Sequence, residues 1–446
     1  MEIFLYFVSM NRCNSLLNPD SMPQKKKKRK KKAGSQPQKV KHSQQRNKFL
    51  ESFRHISRLL DCSDLYDKIP GKEMDMFYMI HFSSIRVEAD IGQKISARLI
   101  KFYNWFINNW LKEKTIELYQ DGPLISLYDY FTIIYTFTYY SEVVEKSIAF
   151  KVITEIKHVL EKHIDLNELS CQAMYLLLPM LVVASLFRSN LLSSIYFFDV
   201  FMQQCKVGKV NSVMKILVSK KQVDRLSVIL NGKQRTVYRM GFPMSFGIFK
   251  WTQFDAKTLK MPSLDSKQPL DVYIQAHALD RLYERCDCFS PARLHSGLVV
   301  SLESPEILVM KGNKRLIEYK LNEEEKLGYL VAEVVNNLMI IRTFLLLTQD
   351  DTPEGDRLKA IMSSSKEDAK YWALDRLSTF VASDIHKNES LKQIFVQAGC
   401  GGLFKVKTHD ALQRTIEQAD AMVKYFGLDD EEGGTTARQH DCTTAR

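Results

Sequence analysis

The chain has no Walker A string, no G-x-S-x-G, no His-Glu-x-x-His and no EF-hand loop. P-loop nucleotide hydrolysis, nucleophile-elbow hydrolysis, zinc-protease chemistry and EF-hand calcium binding therefore have no sequence signature here. It also has no Cys-x-x-Cys pair. The longest apolar run, residues 175–187, contains Pro179 and falls short of the roughly 20 residues needed to cross a bilayer. It reads as a buried helix, and no membrane span is expected. Residues 1–8 are apolar but precede the basic run and are too few for a secretory core. Eight cysteines without a secretory signal fit free thiols in a reducing compartment, so a cytoplasmic location is expected.

Acidic residues are missing altogether from 23–48, a stretch that holds 12 of the 63 Lys and Arg. The rest of the chain has 51 basic against 52 acidic residues, so almost all of the net +11 sits in one tail. Residues 25–32 are eight consecutive cations, which repel one another and stay solvated. Residues 1–45 are expected to be a disordered basic tail. Such a tail can tether RNA or another anionic surface, act as a nuclear signal, or serve solubility alone.

At 446 residues the chain has room for about two or three domains. From residue 46 to 222 apolar residues recur at helical spacing, as in Phe49, Phe53, Ile56 and Leu60, in Ile95, Leu99, Phe102, Phe106 and Trp110, and in Ile148, Val152, Ile156 and Val159. This segment is expected to be an all-helical domain. Residues 223–268 read as a hairpin around Asn231-Gly232 followed by a Pro-punctuated connector. Residues 269–350 read as a small β-α-α-β-β-β-β antiparallel module, its last four strands joined in part by short turns at Gly312-Asn313 and Asn336-Asn337. Helices return over 351–428, with candidates at 369–383, 390–398 and 411–426, and 429–446 is a low-complexity tail. The fold class is thus α+β and multidomain.

The 269–350 module carries the one constellation that looks like chemistry. On a helix beginning near Gln275, His277, Arg281 and Glu284 share a face, with Arg285 at its margin. His moves protons near neutral pH, and Arg holds phosphate oxygens and offsets added negative charge. A solvated face with Arg281 and Glu284 paired one turn apart explains the same pattern. Arg342 interrupts the apolar strand 338–347, where it is either a functional cation or the diagonal ion-pair partner of Glu333. Tyr319 is a further proton-donor candidate, although a strand tyrosine also serves packing. Cys286, Cys288 and His295 have metal-ligand chemistry but no evident fourth ligand, so neither metal nor cofactor is expected. Gly399-Cys400-Gly401-Gly402 follows a helix and reads as its C-cap rather than as a nucleotide loop.

The string His277-Ala278-Leu279-Asp280-Arg281-Leu282-Tyr283-Glu284-Arg285, a second helix, and a hairpin sheet ending in Ile341-Arg342-Thr343-Phe344 resembles the RelE and BrnT toxins and the wider barnase-like ribonuclease group. The resemblance covers about 80 residues. It implies metal-independent RNA cleavage in which His277 is the acid or base, and Arg281, Arg285 and Arg342 hold phosphate. No clear second proton-transfer residue is present, which leaves a binding-only module open. An RNA-acting, toxin-like module, with RNA and a protein inhibitor as partners, stands beside a non-catalytic helical scaffold with a basic tether.

Overall fold

The structure is a computed structural model that describes residues 38–146, 148–203, 212–260, 268–310, 313–362, 375–382 and 387–407. The basic run, the C-terminal tail and the expected helix at 411–426 lie outside the described residues. The protein is mixed α and β, with a mainly helical N-terminal part and several sheets. It divides into two units: residues 38–180 with 199–218, and residues 181–198 with 219–407.

In the first unit, helix α1 (Gln38–Leu59) leads to α2 (Gly71–Ile80), strand β1 (Phe82–Ala89) and α3 (Ala97–Glu113). The helix begins at Gln38, so residues 38–45 belong to it and not to a tail. The stripe Phe49, Phe53 and Ile56 is buried, and Phe53 and Phe137 meet Phe77 with ring centroids 5.1 Å away. Helix α3 starts where Ser96 accepts a hydrogen bond from the Leu99 amide, and it buries Leu99, Phe102 and Phe106 as their spacing predicts. A short hairpin, β2 (Thr115–Glu117) with β3 (Leu124–Ser126), and a helical run containing a π-turn at Tyr130–Ile134 follow. Helix α4 (Lys151–Glu161) buries Ile153, Ile156 and Leu160. Ile148 lies outside it and is exposed, and Val152 and Val159 are half-buried, so the buried stripe shares Ile156 alone with the expected one.

Helix α5 (Leu166–Leu186) is longer than its apolar run. By length and hydropathy it could cross a membrane, and 61% of its most apolar window is buried within the protein, as a core helix would be. Strands β4 (Ser194–Gln203) and β5 (Ser212–Gln222) join β1 in a sheet of order β1-β5-β4, with β1 parallel to β5 and Ile85 opposite Met214. The segment 46–222 is therefore not all helical. Met214, Ile216 and Val218 are fully buried at a period of two, the spacing of a strand and not of a helix.

The second unit is built on an eight-stranded sheet. The strands are β6 (Arg225–Leu230), β7 (Lys233–Arg239), the side pair β8 (Gly241–Pro243) and β9 (Phe249–Trp251), β10 (Gln253–Phe254), β11 (Leu270–Ile274), β12 (Ile307–Val309), β13 (Lys314–Lys320), β14 (Lys326–Val335) and β15 (Leu338–Leu346). The sheet runs β12-β13-β14-β15-β11-β7-β6, with β10 beside β11 and the β8–β9 hairpin separate. Asn231-Gly232 and Asn336-Asn337 hold positive φ at both central positions, as two-residue hairpin turns require. Two expectations are corrected. The β6–β7 hairpin is part of this sheet through β7 and β11 and not of a connector, and β11 runs parallel to β15 in an otherwise antiparallel array.

Helices α6 (Ala276–Arg285) and α7 (Pro291–Glu303) pack on one face. Ser290 caps α7 at the Arg293 amide, and the Tyr319 hydroxyl on β13 donates to the Leu294 carbonyl at 2.9 Å. The opposite face receives α8 (Pro353–Met362), whose buried Glu354 accepts from Tyr329 at 3.0 Å and pairs Lys326 at 3.0 Å. Thr352 precedes α8, and its hydroxyl accepts from the Gly355 amide at 2.9 Å. Helix α9 (Leu377–Ala382) and helix α10 (Glu389–Ala398) follow, the latter ending at Gly399 with φ 92°.

Candidate functional site

Strand β11 is shorter than its neighbours. Its last paired residue, Ile274, faces Ile341 on β15 and Tyr238 on β7, and the chain then turns into α6. Beyond that point β7 and β15 continue without a strand between them. The opening is a groove of about 910 Å³ lined by Arg235 and Thr236 of β7, by Gln275, Ala276 and His277 at the start of α6, and by Glu333, Arg342 and Thr343 of β14 and β15. Lys314 and Asp351 close its far side.

A bulge sets the direction of Arg342. Val331 pairs with Thr343 and Ala332 with Ile341, so Arg342 is the extra residue of β15 at the point where β11 departs. Its Nη1 donates to Glu333 Oε1 at 2.7 Å, and the two side chains are half-buried. Lys314 Nζ lies 3.3 Å from Asp351. His277 and Arg235 are exposed at the rim. Three cations and an imidazole therefore converge on one opening, with two carboxylates paired to two of the cations.

The other sequence candidates are elsewhere. Arg281 pairs Glu284 at 2.5 Å, the one-turn pair that the helix spacing allows. Arg285 donates to the Phe344 carbonyl and fastens α6 to β15; burial, and then the neighbouring Arg281, lower its pKa. The reason is the helix rise. The groove opens at the first turn of α6, and positions 281 and 285 lie about 6 and 12 Å further along the axis. Tyr319 is fully buried, its hydroxyl already donated to α7, and burial pushes its pKa well up. It is a packing residue. Of the five candidates, the groove gathers His277 and Arg342.

Arg235, Lys314 and Gln275 escape a sequence reading, because β7 becomes a wall of the groove only by pairing with β11. Among the described residues no group of three or more His, Cys, Asp or Glu side chains could hold a metal. His295 is buried against Tyr283, its Nε2 2.6 Å from the phenol oxygen, and burial lowers its pKa to about 4. Cys286 is buried with its pKa raised, again by burial. No family model, no curated protein and no solved structure matches this chain.

Proposed function

We propose that the second unit binds RNA through its phosphates at the β7–β15 groove and does not cleave it. The observation that carries this reading is the convergence of His277, Arg235, Arg342 and Lys314 on one opening. Arg offers paired N–H donors in a plane, which suits phosphate oxygens. Cleavage needs a general acid and a general base placed about the same phosphodiester. The groove supplies one imidazole, its carboxylates Glu333 and Asp351 are paired to Arg342 and Lys314, and Arg281, Arg285 and Tyr319 are engaged elsewhere. In this reading the β11-α6-α7-β12-β13-β14-β15 portion is the RelE- and BrnT-like module, retained for binding in a cytoplasmic setting.

The test is RNA degradation and RNA binding by the purified chain in EDTA, comparing wild type with R235A/R342A and with H277A. RNA should stay intact with all three proteins, and the double variant should bind it several-fold more weakly. Degradation by wild type that H277A abolishes would restore the ribonuclease reading. Intact RNA with unchanged affinity in the double variant would favour a protein partner for a groove whose charges are half paired.

A further inference from the structure

The β8–β9 hairpin carries Phe246-Gly247-Ile248-Phe249-Lys250-Trp251, aromatic and basic residues interleaved. At its tip Phe246 holds a φ of 61° and Gly247 one of 68°. Glycine and asparagine occupy such positions without difficulty, whereas a bulky side chain there is strained. Phe246 is nevertheless 59% exposed and Ile248 57% exposed, so most of each side chain is left facing solvent. The hairpin is anchored by a hydrogen bond at its tip and by ring contacts at its base. The Gly247 amide donates to the Phe198 carbonyl at 2.8 Å, and Phe249 stands 5.9 Å from Phe197 and 4.8 Å from Trp251, ring to ring. Gly241 is required beneath, since a Cβ there would meet both the Trp251 and Phe249 rings.

Cations surround this aromatic base. Arg239 lies 4.7 Å and Lys221 5.7 Å from the Trp251 ring centroid. Asp271 and Asp224 both pair with Arg239, at 2.8 and 3.4 Å, so one guanidinium is shared between two carboxylates. Arg239 also ties the hairpin to the groove. It is opposite Tyr273, which is opposite Ile340, and Arg342 follows two residues later on the same face. Two strand spacings and two residues of rise place the Arg239 and Arg342 backbones roughly 12 Å apart.

We propose that the β8–β9 hairpin is a base-stacking arm, with Phe246 as the stacking side chain and Lys221, over the Trp251 ring at its base, for phosphate, so that the ligand is single-stranded nucleic acid. This rests on the reading of the groove as a phosphate site. A duplex keeps its bases stacked inside and offers none to Phe246, whereas a single strand presents a π-face at every nucleotide. A bilayer suits the tip less well, because two apolar side chains bury little area.

The experiment measures the affinity of the full chain for short oligouridine, for an abasic strand of equal length and for duplex RNA, at salt high enough to suppress binding through the basic tail. F246S and F246A, both at an exposed position, should weaken oligouridine binding roughly five- to a hundredfold and leave the abasic strand unaffected. R235A/R342A should weaken both. Equal affinity of wild type for oligouridine and the abasic strand, with F246A unchanged, overturns the stacking arm and leaves the groove reading intact. Loss of effect in R235A/R342A alone overturns the groove. Capture of wild type but not F246A by phosphatidylserine vesicles, with oligouridine affinity unchanged, would make the hairpin a membrane contact and overturn the proposal.

Discussion

Arg342 and Glu333, 2.7 Å apart across β14 and β15, both line the groove that His277 enters. The ion pair and the candidate site are thus one place. A half-buried pair of this kind contributes about 1 kcal/mol or less to stability. E333Q should free the guanidinium and tighten RNA binding several-fold, while R342A weakens it. Titration of labelled RNA with the two variants checks this, and equal affinities would mean that the pair is purely structural.

Residues 25–32 should add a salt-sensitive, sequence-independent contribution to binding. Removing residues 1–36 is expected to flatten the slope of log affinity against log salt. It should leave the ratio between wild type and R235A/R342A as it was. A slope that survives the deletion would assign the salt dependence to the folded units.

Tyr319 is expected to matter for folding and not for RNA. Tyr319→Phe removes the donor to the buried Leu294 carbonyl and should cost about 1 to 2 kcal/mol. Gly297→Ala should cost more, since its Cβ would stand 2.5 Å from the Tyr319 hydroxyl oxygen and 2.9 Å from the Lys320 carbonyl. Thermal melts and RNA affinities measured on the same samples separate the two effects. A Tyr319→Phe protein of full stability and lost RNA binding would return Tyr319 to the site.

Burial lowers the pKa of His295 from the ordinary 6.5 to about 4, so the fold holds the imidazole neutral. The sign follows from linkage. Its contribution is fully present above pH 6.5 and is lost as pH falls toward 4, because in that window only the unfolded chain takes up the proton. The effect is on the order of 3 kcal/mol over the window. His295→Gln should remove about one proton, roughly 1.4 kcal/mol per pH unit, from the acid slope of the urea midpoint. An unchanged slope would show that His295 protonates alike in both states. His81 in the first unit, buried and likewise lowered to about 4, should add its own acid lability there.

Much of the second unit was legible in the sequence because its determinants are local. Asn231-Gly232 and Asn336-Asn337 specify two-residue turns by their tolerance of positive φ, Ser290-Pro291 opens a helix, and Gly399 closes one. The Arg281–Glu284 pair and the Glu333–Arg342 diagonal were each one of two alternatives that helix spacing and the Asn336-Asn337 turn left open. In the first unit, the stripe of α1 and that of α3 announced helices, while β1 and β5 were hidden by a chain that is helical on either side. A parallel pair depends on residues more than 120 positions apart, such as Ile85 and Met214, and no local pattern encodes that distance.

The site belonged to tertiary structure for the same reason. Helix geometry placed His277, Arg281 and Arg285 on related faces, but where β11 stops decided which of them meets the groove. The sequence determined that Arg342 would stand in an apolar strand and need a partner. Only the pairing of β7 with β11, and the bulge that turns Arg342 at the end of β11, brought Arg235, His277 and Arg342 to one opening. Side-chain chemistry is written residue by residue, whereas convergence is fixed by which strands pair and how far each pairing runs.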